Sequence, residues 1–182
     1  MSKPLVAHTV VRPVVEDDFT RIAAIYEHYV LTSTATFEVV PPSPADLATR
    51  ARAVQSFGGP YVVADSPHGV LGYAYAGMYR ARAAYRHTVE NTVYVAPDRL
   101  GQGLGTVLLR ALAAECDRRG FAAMVAVIGG EAENRASIRL HESCGFVRAG
   151  TLRRVGSKFG RWLDTVLMQR GLAAADAAPD GR

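Results

Sequence analysis

The sequence predicts one α/β domain, a mixed central β-sheet with helices on both faces. Three observations carry this. Segments of strand length and segments of helical periodicity interleave along almost all of the 182 residues. The run Ala122 to Ile128 is nearly continuous in apolar residues, as expected of a central strand buried on both faces. A glycine-rich turn, Leu100 to Gly105, joins a strand directly to a helix.

Composition narrows the class. With 49% hydrophobic and 21% charged residues, the chain can bury one substantial core, and its length favours one domain over two. That domain is expected over residues 1–172, followed by a disordered tail over 173–182 that is rich in alanine and carries Pro179 and Gly181. Cys116 and Cys144 stand in neither disulfide nor metal-ligand spacing, which suits a reducing cytoplasm. His8, His28, His68 and His87 show no ligand spacing either, so they read as surface residues and no metal is expected. Met1 to His8 lacks the apolar core of a secretion signal, and no stretch reaches the roughly 20 apolar residues of a spanning helix. The net charge of +4 comes from scattered basic residues rather than a basic stripe, which argues against nucleic acid as a partner.

The elements follow in order. A strand is expected at His8 to Arg12, and then Phe19, Ile22, Ala23, Tyr26 and Tyr29 recur at helical spacing, with Asp17 or Asp18 as the cap. Thr32 to Pro42 reads as an irregular connection. Ser43-Pro44-Ala45-Asp46 combines an N-cap, a first-turn proline and a capping-box acid, so a second helix begins near Pro44. Tyr61 to Asp65 and Val70 to Ala76 form a hairpin across Ser66-Pro67-His68-Gly69. Val89 to Val95 is a strand, and Leu104, Val107, Leu108, Ala111 and Leu112 mark one face of a helix that Gly120 stops. After the strand Ala122 to Ile128, Asn134 caps a short helix ending before Gly145, and strands near Phe146 to Arg153 and Arg161 to Arg170 close the domain.

Between strand and helix, Arg99-Leu100-Gly101-Gln102-Gly103-Leu104-Gly105-Thr106 offers backbone N–H groups and the positive end of a helix dipole to a phosphate. No Lys-Ser or Lys-Thr pair follows, so this is not a nucleotide-triphosphate loop. An early βαβ unit and a ribose-binding acid are also missing, so it is a poor dinucleotide fingerprint. It resembles instead the pyrophosphate loop of the GNAT superfamily of N-acetyltransferases, Gln/Arg-x-x-Gly-x-Gly/Ala. Gly103 and Gly105 fill the two small positions, and Leu100, with Arg99 beside it, fills the first. The segment from Asn134 through Ser137, Leu140 and His141 to Gly145-Phe146 is similar to a second motif of that superfamily, Asn-x-x-Ser/Ala-x-x-Leu-Tyr-x-x-x-Gly-Phe.

Further blocks narrow the resemblance to the phosphinothricin and methionine sulfoximine N-acetyltransferases, over about Val11 to Leu172. These are Thr34 to Glu38, Tyr75 to Gly77, Arg82 with Tyr85, Thr88 to Val95, Val125 to Ile128, Arg139 to Glu142 and Lys158 to Asp164. The resemblance implies acetyl-CoA as cosubstrate, held by Val93, Tyr94, Val95, Leu100, Gly101, Gln102, Gly103, Leu104, Gly105, Thr106 and Asn134. It implies a small amino acid as acceptor, met by Phe37, Arg82, Tyr85, Thr88 and Val89, and a homodimer as the assembly.

The chemistry assigns roles within that frame. Amide formation needs a neutral amine, so a base must take a proton before attack on the thioester. Glu90, on the strand leading to the loop, is the expected base, although read alone it could simply pair with Arg86. His141 stands where relatives carry a tyrosine and could protonate the departing thiolate, or it could be structural. Main-chain N–H groups of Val93 or Val95 are expected to meet the thioester oxygen as charge develops. Arg82 is the expected grip for a carboxylate, with Arg80 as an alternative, and Trp162 is read first as a core residue, with closing the acceptor site or a dimer contact as alternatives. Two other readings remain: acetylation of a protein N-terminus or another amine, and a non-catalytic coenzyme A sensor. The paired Glu90 and His141 argue against the second, because a binding module needs no acid–base pair.

Overall fold

The computed structural model describes residues 8–176. The elements run β1 (Val10–Pro13), α1 (Phe19–Thr32), α2 (Pro44–Ser56), β2 (Tyr61–Ser66), β3 (Gly69–Met78), β4 (Thr88–Val95), α3 (Leu104–Arg118), β5 (Ala123–Gly129), α4 (Arg135–Ser143), β6 (Val147–Lys158) and β7 (Arg161–Gly171). The described residues form one seven-stranded sheet in the order β1-β2-β3-β4-β5-β7-β6. All neighbours are antiparallel except β4 and β5, which are joined by the α3 crossover and so run parallel.

Side-chain alternation along the strands sorts the core into two layers. Tyr61, Val63, Val70 and Tyr73 pack under α1 and α2, against Phe19, Ile22, Ile25 and Leu47. Val62, Ala64, Leu71 and Ala74 lie on the opposite face with Leu104, Leu108, Leu109 and Leu112 of α3. The expected mixed sheet with helices on both faces is therefore present.

Helix starts follow local chemistry at α2 and depart from it elsewhere. The Ser43 hydroxyl accepts the Asp46 N–H at 3.1 Å and the Asp46 carboxylate accepts the Ser43 N–H at 3.0 Å, which completes the capping box. Asp18, expected to cap α1, holds the N-cap position but turns its side chain away. Its carboxylate accepts the Val15 N–H and both terminal nitrogens of Arg12, at 2.7 to 2.8 Å. Burial works against this charge, and the Arg12 and Val15 hydrogen bonds overcome it, holding the Asp18 carboxyl below its ordinary range. Asn134 likewise does not cap α4 with its side chain.

The structure corrects four further expectations. β5 is not buried on both faces: Met124, Ala126 and Ile128 are buried, whereas Val127 is 40% exposed. The cause lies in its pairing with β4, which covers only Thr88↔Ala123, Val89↔Met124 and Glu90↔Val125 before the strands part. Trp162 is a surface residue, 60% exposed, with the Arg154 guanidinium 5.6 Å from its ring centre. His87 is half-buried rather than on the surface, and its Nε2 is fully enclosed. Ala173–Asp176 forms a 3-10 turn whose first N–H donates to Asp117 at 2.6 Å, and the rest of the expected tail lies outside the described residues.

Candidate active site

Where β4 and β5 part, a cleft of about 620 Å³ opens. Asn91 to Val95 line it from β4 and Ala126 to Gly129 from β5, together with the start of α3, Glu90 and Phe37.

The α3 end is a main-chain construction. Gly101 and Gly103 have φ of +75° and +79°, a region that side-chain-bearing residues rarely adopt, and Gly103 is the N-cap of α3. The first N–H groups of a helix have no partner within it, so those following Gly103 are left for an anion. Leu100, Gly101, Gly103, Leu104, Gly105 and Thr106 line the cleft together with Arg99. Gln102 does not: its side chain is turned inward, and its Oε1 is enclosed without a hydrogen-bond partner.

The backbone of β4 exposes its odd-numbered positions. Thr88 accepts the Tyr79 N–H at 3.4 Å, and Ala96 donates to Leu71 at 2.8 Å, so even positions face β3. Alternation then turns the main-chain groups of Asn91, Val93 and Val95 toward the opening. The Val95 carbonyl there accepts the Tyr29 hydroxyl at 2.6 Å. The register with β3 is continuous from Gly72↔Val95 to Met78↔Val89, so β4 carries no bulge against it. Tyr94 contributes its side chain instead, with its hydroxyl donating to the Ala35 carbonyl at 3.1 Å.

Glu90 stands at the last β4–β5 pair, half-buried, on the cleft wall. Burial pushes its carboxyl above the usual range, and Arg80 partly opposes the shift. Arg80, weighed from sequence as a carboxylate partner, is thus a cation that acts on it.

His141 is buried beside the cleft and hydrogen-bonded at both nitrogens. Nδ1 lies 2.8 Å from the Ser137 carbonyl, which can only accept, so this nitrogen carries the proton. Nε2 is then the acceptor for the Asn91 amide at 2.9 Å. Burial lowers the affinity of the ring for a second proton, and the Ser137 bond only partly offsets this. The arrangement holds a neutral histidine whose Nε2 is taken up by Asn91 and has no proton to deliver, which favours the structural alternative for His141. Asn91 gave no sequence signal beyond its place beside Glu90.

The remaining expected residues divide. Phe37 lines the cleft, and Asn134 does too, with its amide donating to the Gly129 carbonyl and, at 3.0 Å, to Thr34 Oγ1. Arg82 and Tyr85 sit on the exposed β3–β4 connection, where Tyr85 meets the Tyr79 ring edge-on, and neither lines the cleft. Thr88 is half-buried at the start of β4, and Val89 is fully buried in the α3-side core, because odd side chains of β4 point there.

A mixed sheet parted beside one parallel pair, with unpaired helix-start N–H groups and a raised carboxyl in the gap, is an arrangement suited to acyl transfer from a phosphate-bearing carrier. The chain belongs to the acetyltransferase (GNAT) family, whose model matches residues 22–146. It is 51% identical over 166 residues to a phosphinothricin N-acetyltransferase of Alcaligenes faecalis, covering 91% of this chain and 84% of that one. It is 44% identical over 168 residues to an L-methionine sulfoximine/L-methionine sulfone acetyltransferase of Pseudomonas paraeruginosa, covering 89% and 94%. Among solved structures, a phosphinothricin acetyltransferase of Sinorhizobium meliloti in complex with acetyl-CoA superposes with a TM-score of 0.88 at 43% identity, covering 93% of this chain and 91% of that one.

Proposed function

We propose that this enzyme transfers the acetyl group of acetyl-CoA to the α-amino group of a small amino acid of the phosphinothricin or methionine sulfoximine/sulfone type. The observation that carries the reading is Glu90, a half-buried carboxylate with a raised pKa at the point where β4 and β5 separate. The acceptor's ammonium gives a proton to Glu90, and the freed amine attacks the thioester carbonyl carbon. The main-chain N–H groups of Val93 and Val95 both face the opening, and either one can take up the oxyanion. The C–S bond then breaks, coenzyme A leaves as its thiolate, and the amide nitrogen gives its extra proton to that thiolate through solvent. The Gly101–Thr106 backbone holds the pyrophosphate, through N–H groups that need neither side chain nor metal. The relatives' substrates support the acceptor class.

The deciding experiment follows free thiol release from acetyl-CoA across an acceptor panel of phosphinothricin, methionine sulfoximine, methionine sulfone, other amino acids and a peptide with a free N-terminus. Turnover confined to the small amino acids is expected, and preference for the peptide overturns the reading. A cytoplasmic homodimer completes the proposal. Among the described residues no helix is long and apolar enough to cross a membrane. The apolar side chains of Val147, Leu152, Val155 and Trp162 on β6 and β7 are 47 to 68% exposed, which supports pairing of two copies. A monomer mass that does not change with concentration in light scattering overturns the dimer.

A further inference from the structure

An amino-acid acceptor brings a carboxylate as well as an amine. Among the described residues lining the cleft the only arginine is Arg99, at the α3 end, and Arg82 is exposed away from it. A cation is nevertheless built into the wall behind Phe37. Lys158, the last residue of β6, is 4% exposed, and its Nζ donates to the carbonyls of Ser33 at 2.7 Å and Thr36 at 2.8 Å.

Those two bonds orient two peptide planes. In a trans peptide the C=O and N–H point in opposite directions, and the described residues contain no cis bond. With the Ser33 and Thr36 carbonyls drawn to Nζ, the N–H groups of Thr34 and Phe37 point away from it. Among the described residues neither N–H meets an acceptor. Phe37 lines the same cleft as Glu90, so its main chain borders the space that an acceptor would enter.

The segment is held rather than loose. Thr34 Oγ1 accepts the Asn134 amide at 3.0 Å, and Thr36 Oγ1 lies 2.7 Å from the Tyr26 hydroxyl. The Phe37 ring fills space that only glycine leaves open at two places, since a Cβ at Gly129 or Gly156 would stand inside its van der Waals surface. Main-chain donors fixed in this way, with a buried ammonium behind them, are suited to a carboxylate.

We propose that Ser33–Phe37 is the carboxylate-recognition element of the acceptor site, with the Phe37 N–H as the donor and Lys158 as the positioning residue that turns it and adds positive charge. The proposal rests on the amino-acid reading given above. It moves specificity for the free acid from the exposed Arg82 to a main-chain group set by Lys158, 122 positions from the Thr36 carbonyl it holds.

The test compares a preferred amino acid with its methyl ester in the wild type, Lys158→Met, Lys158→Gln and Arg82→Gln enzymes. The wild type is expected to favour the acid. Both Lys158 variants are expected to raise KM for the acid about tenfold or more, as for loss of a hydrogen bond to a charged group. KM for the ester and affinity for acetyl-CoA stay unchanged, so the preference collapses, while Arg82→Gln retains it. A Lys158 variant that binds acetyl-CoA normally and still prefers the acid overturns the proposal, as does loss of the preference in Arg82→Gln. Should both Lys158 variants fail to fold, the wild type decides. With the six phenylalanines labelled with 15N, the Phe37 amide proton is expected to move downfield with the acid and not with the ester. An unmoved resonance overturns the proposal. A wild type that acetylates no amino acid overturns the underlying reading instead, whereas equal use of acid and ester overturns this inference alone.

Discussion

At the α3 end of the cleft the lining residues come from one short stretch, Arg99 to Thr106, from which only Gln102 is turned inward. At the acceptor end they come from the α1–α2 connection, from β4 and from the end of β5, with Phe37, Glu90 and Gly129 far apart in sequence. The first end needs only a turn with glycine at φ > 0 and a helix behind it. The second needs most of the domain assembled before its wall exists. The difference teaches that cosubstrate binding can be locally encoded, while acceptor choice depends on tertiary packing. Changes at one end should therefore leave the constants of the other nearly untouched.

The sharpest break between the ends is Glu90→Gln, which keeps the shape of the side chain and removes its basicity. Turnover is expected to fall on the order of a hundredfold while the acetyl-CoA Kd holds. The deficit should shrink at high pH, where solution supplies more free amine. With Glu90 as the base, wild-type turnover should decline as pH falls through a value above the ordinary carboxylate range. Near-normal turnover of Glu90→Gln across the pH range would remove Glu90 as the base.

Next in size is Gly103→Val, which places a β-branched residue at φ +79°. The strain of about 1–2 kcal/mol should weaken acetyl-CoA binding roughly tenfold in calorimetry, with the acceptor KM unmoved. Gly156→Ala probes the other end, because its new methyl collides with the Phe37 ring. Overpacking of about 1–3 kcal/mol predicts an acceptor KM raised fivefold or more at constant acetyl-CoA affinity. If Gly156→Ala shifts both constants equally, the two ends are not independent.

The smallest effect is one of stability. A carboxyl with a raised folded pKa binds more protons when folded, so it lowers stability as pH rises from its unfolded pKa through its folded one. Glu90→Gln should therefore match or slightly exceed the wild-type Tm at neutral pH, and the gap should close below the unfolded carboxylate pKa. A variant less stable at neutral pH would mean that Glu90 serves the fold.

Legibility in the sequence follows the same division. The Ser43–Asp46 box and the glycine turn before α3 were readable because their chemistry lies within a few adjacent residues. The apolar run of β5 suggested burial on both faces, since sequence does not reveal that its pairing with β4 ends at Glu90↔Val125. Asp18 and Asn134 have the right residue type for caps, yet each found a tertiary partner, in Arg12 and in Thr34. The Asn91–His141 bond joins two residues 50 apart, and a residue pattern does not show such a bond.

The short β4–β5 ladder also bears on how the molecule comes apart. On one side of it lie β1 to β4, a run of antiparallel neighbours in chain order, and on the other β5, β7 and β6. Within the sheet only three residue pairs join these plates, and the α3-side core and the Asn91–His141 bond span them outside the ladder. Sub-global opening should therefore start at this seam, with the amides of β5 and the odd positions of β4 exchanging with solvent before those of β2 and β3. A molecule lying along the gap would bridge both plates, so occupancy by cosubstrate should slow hydrogen exchange on each side together.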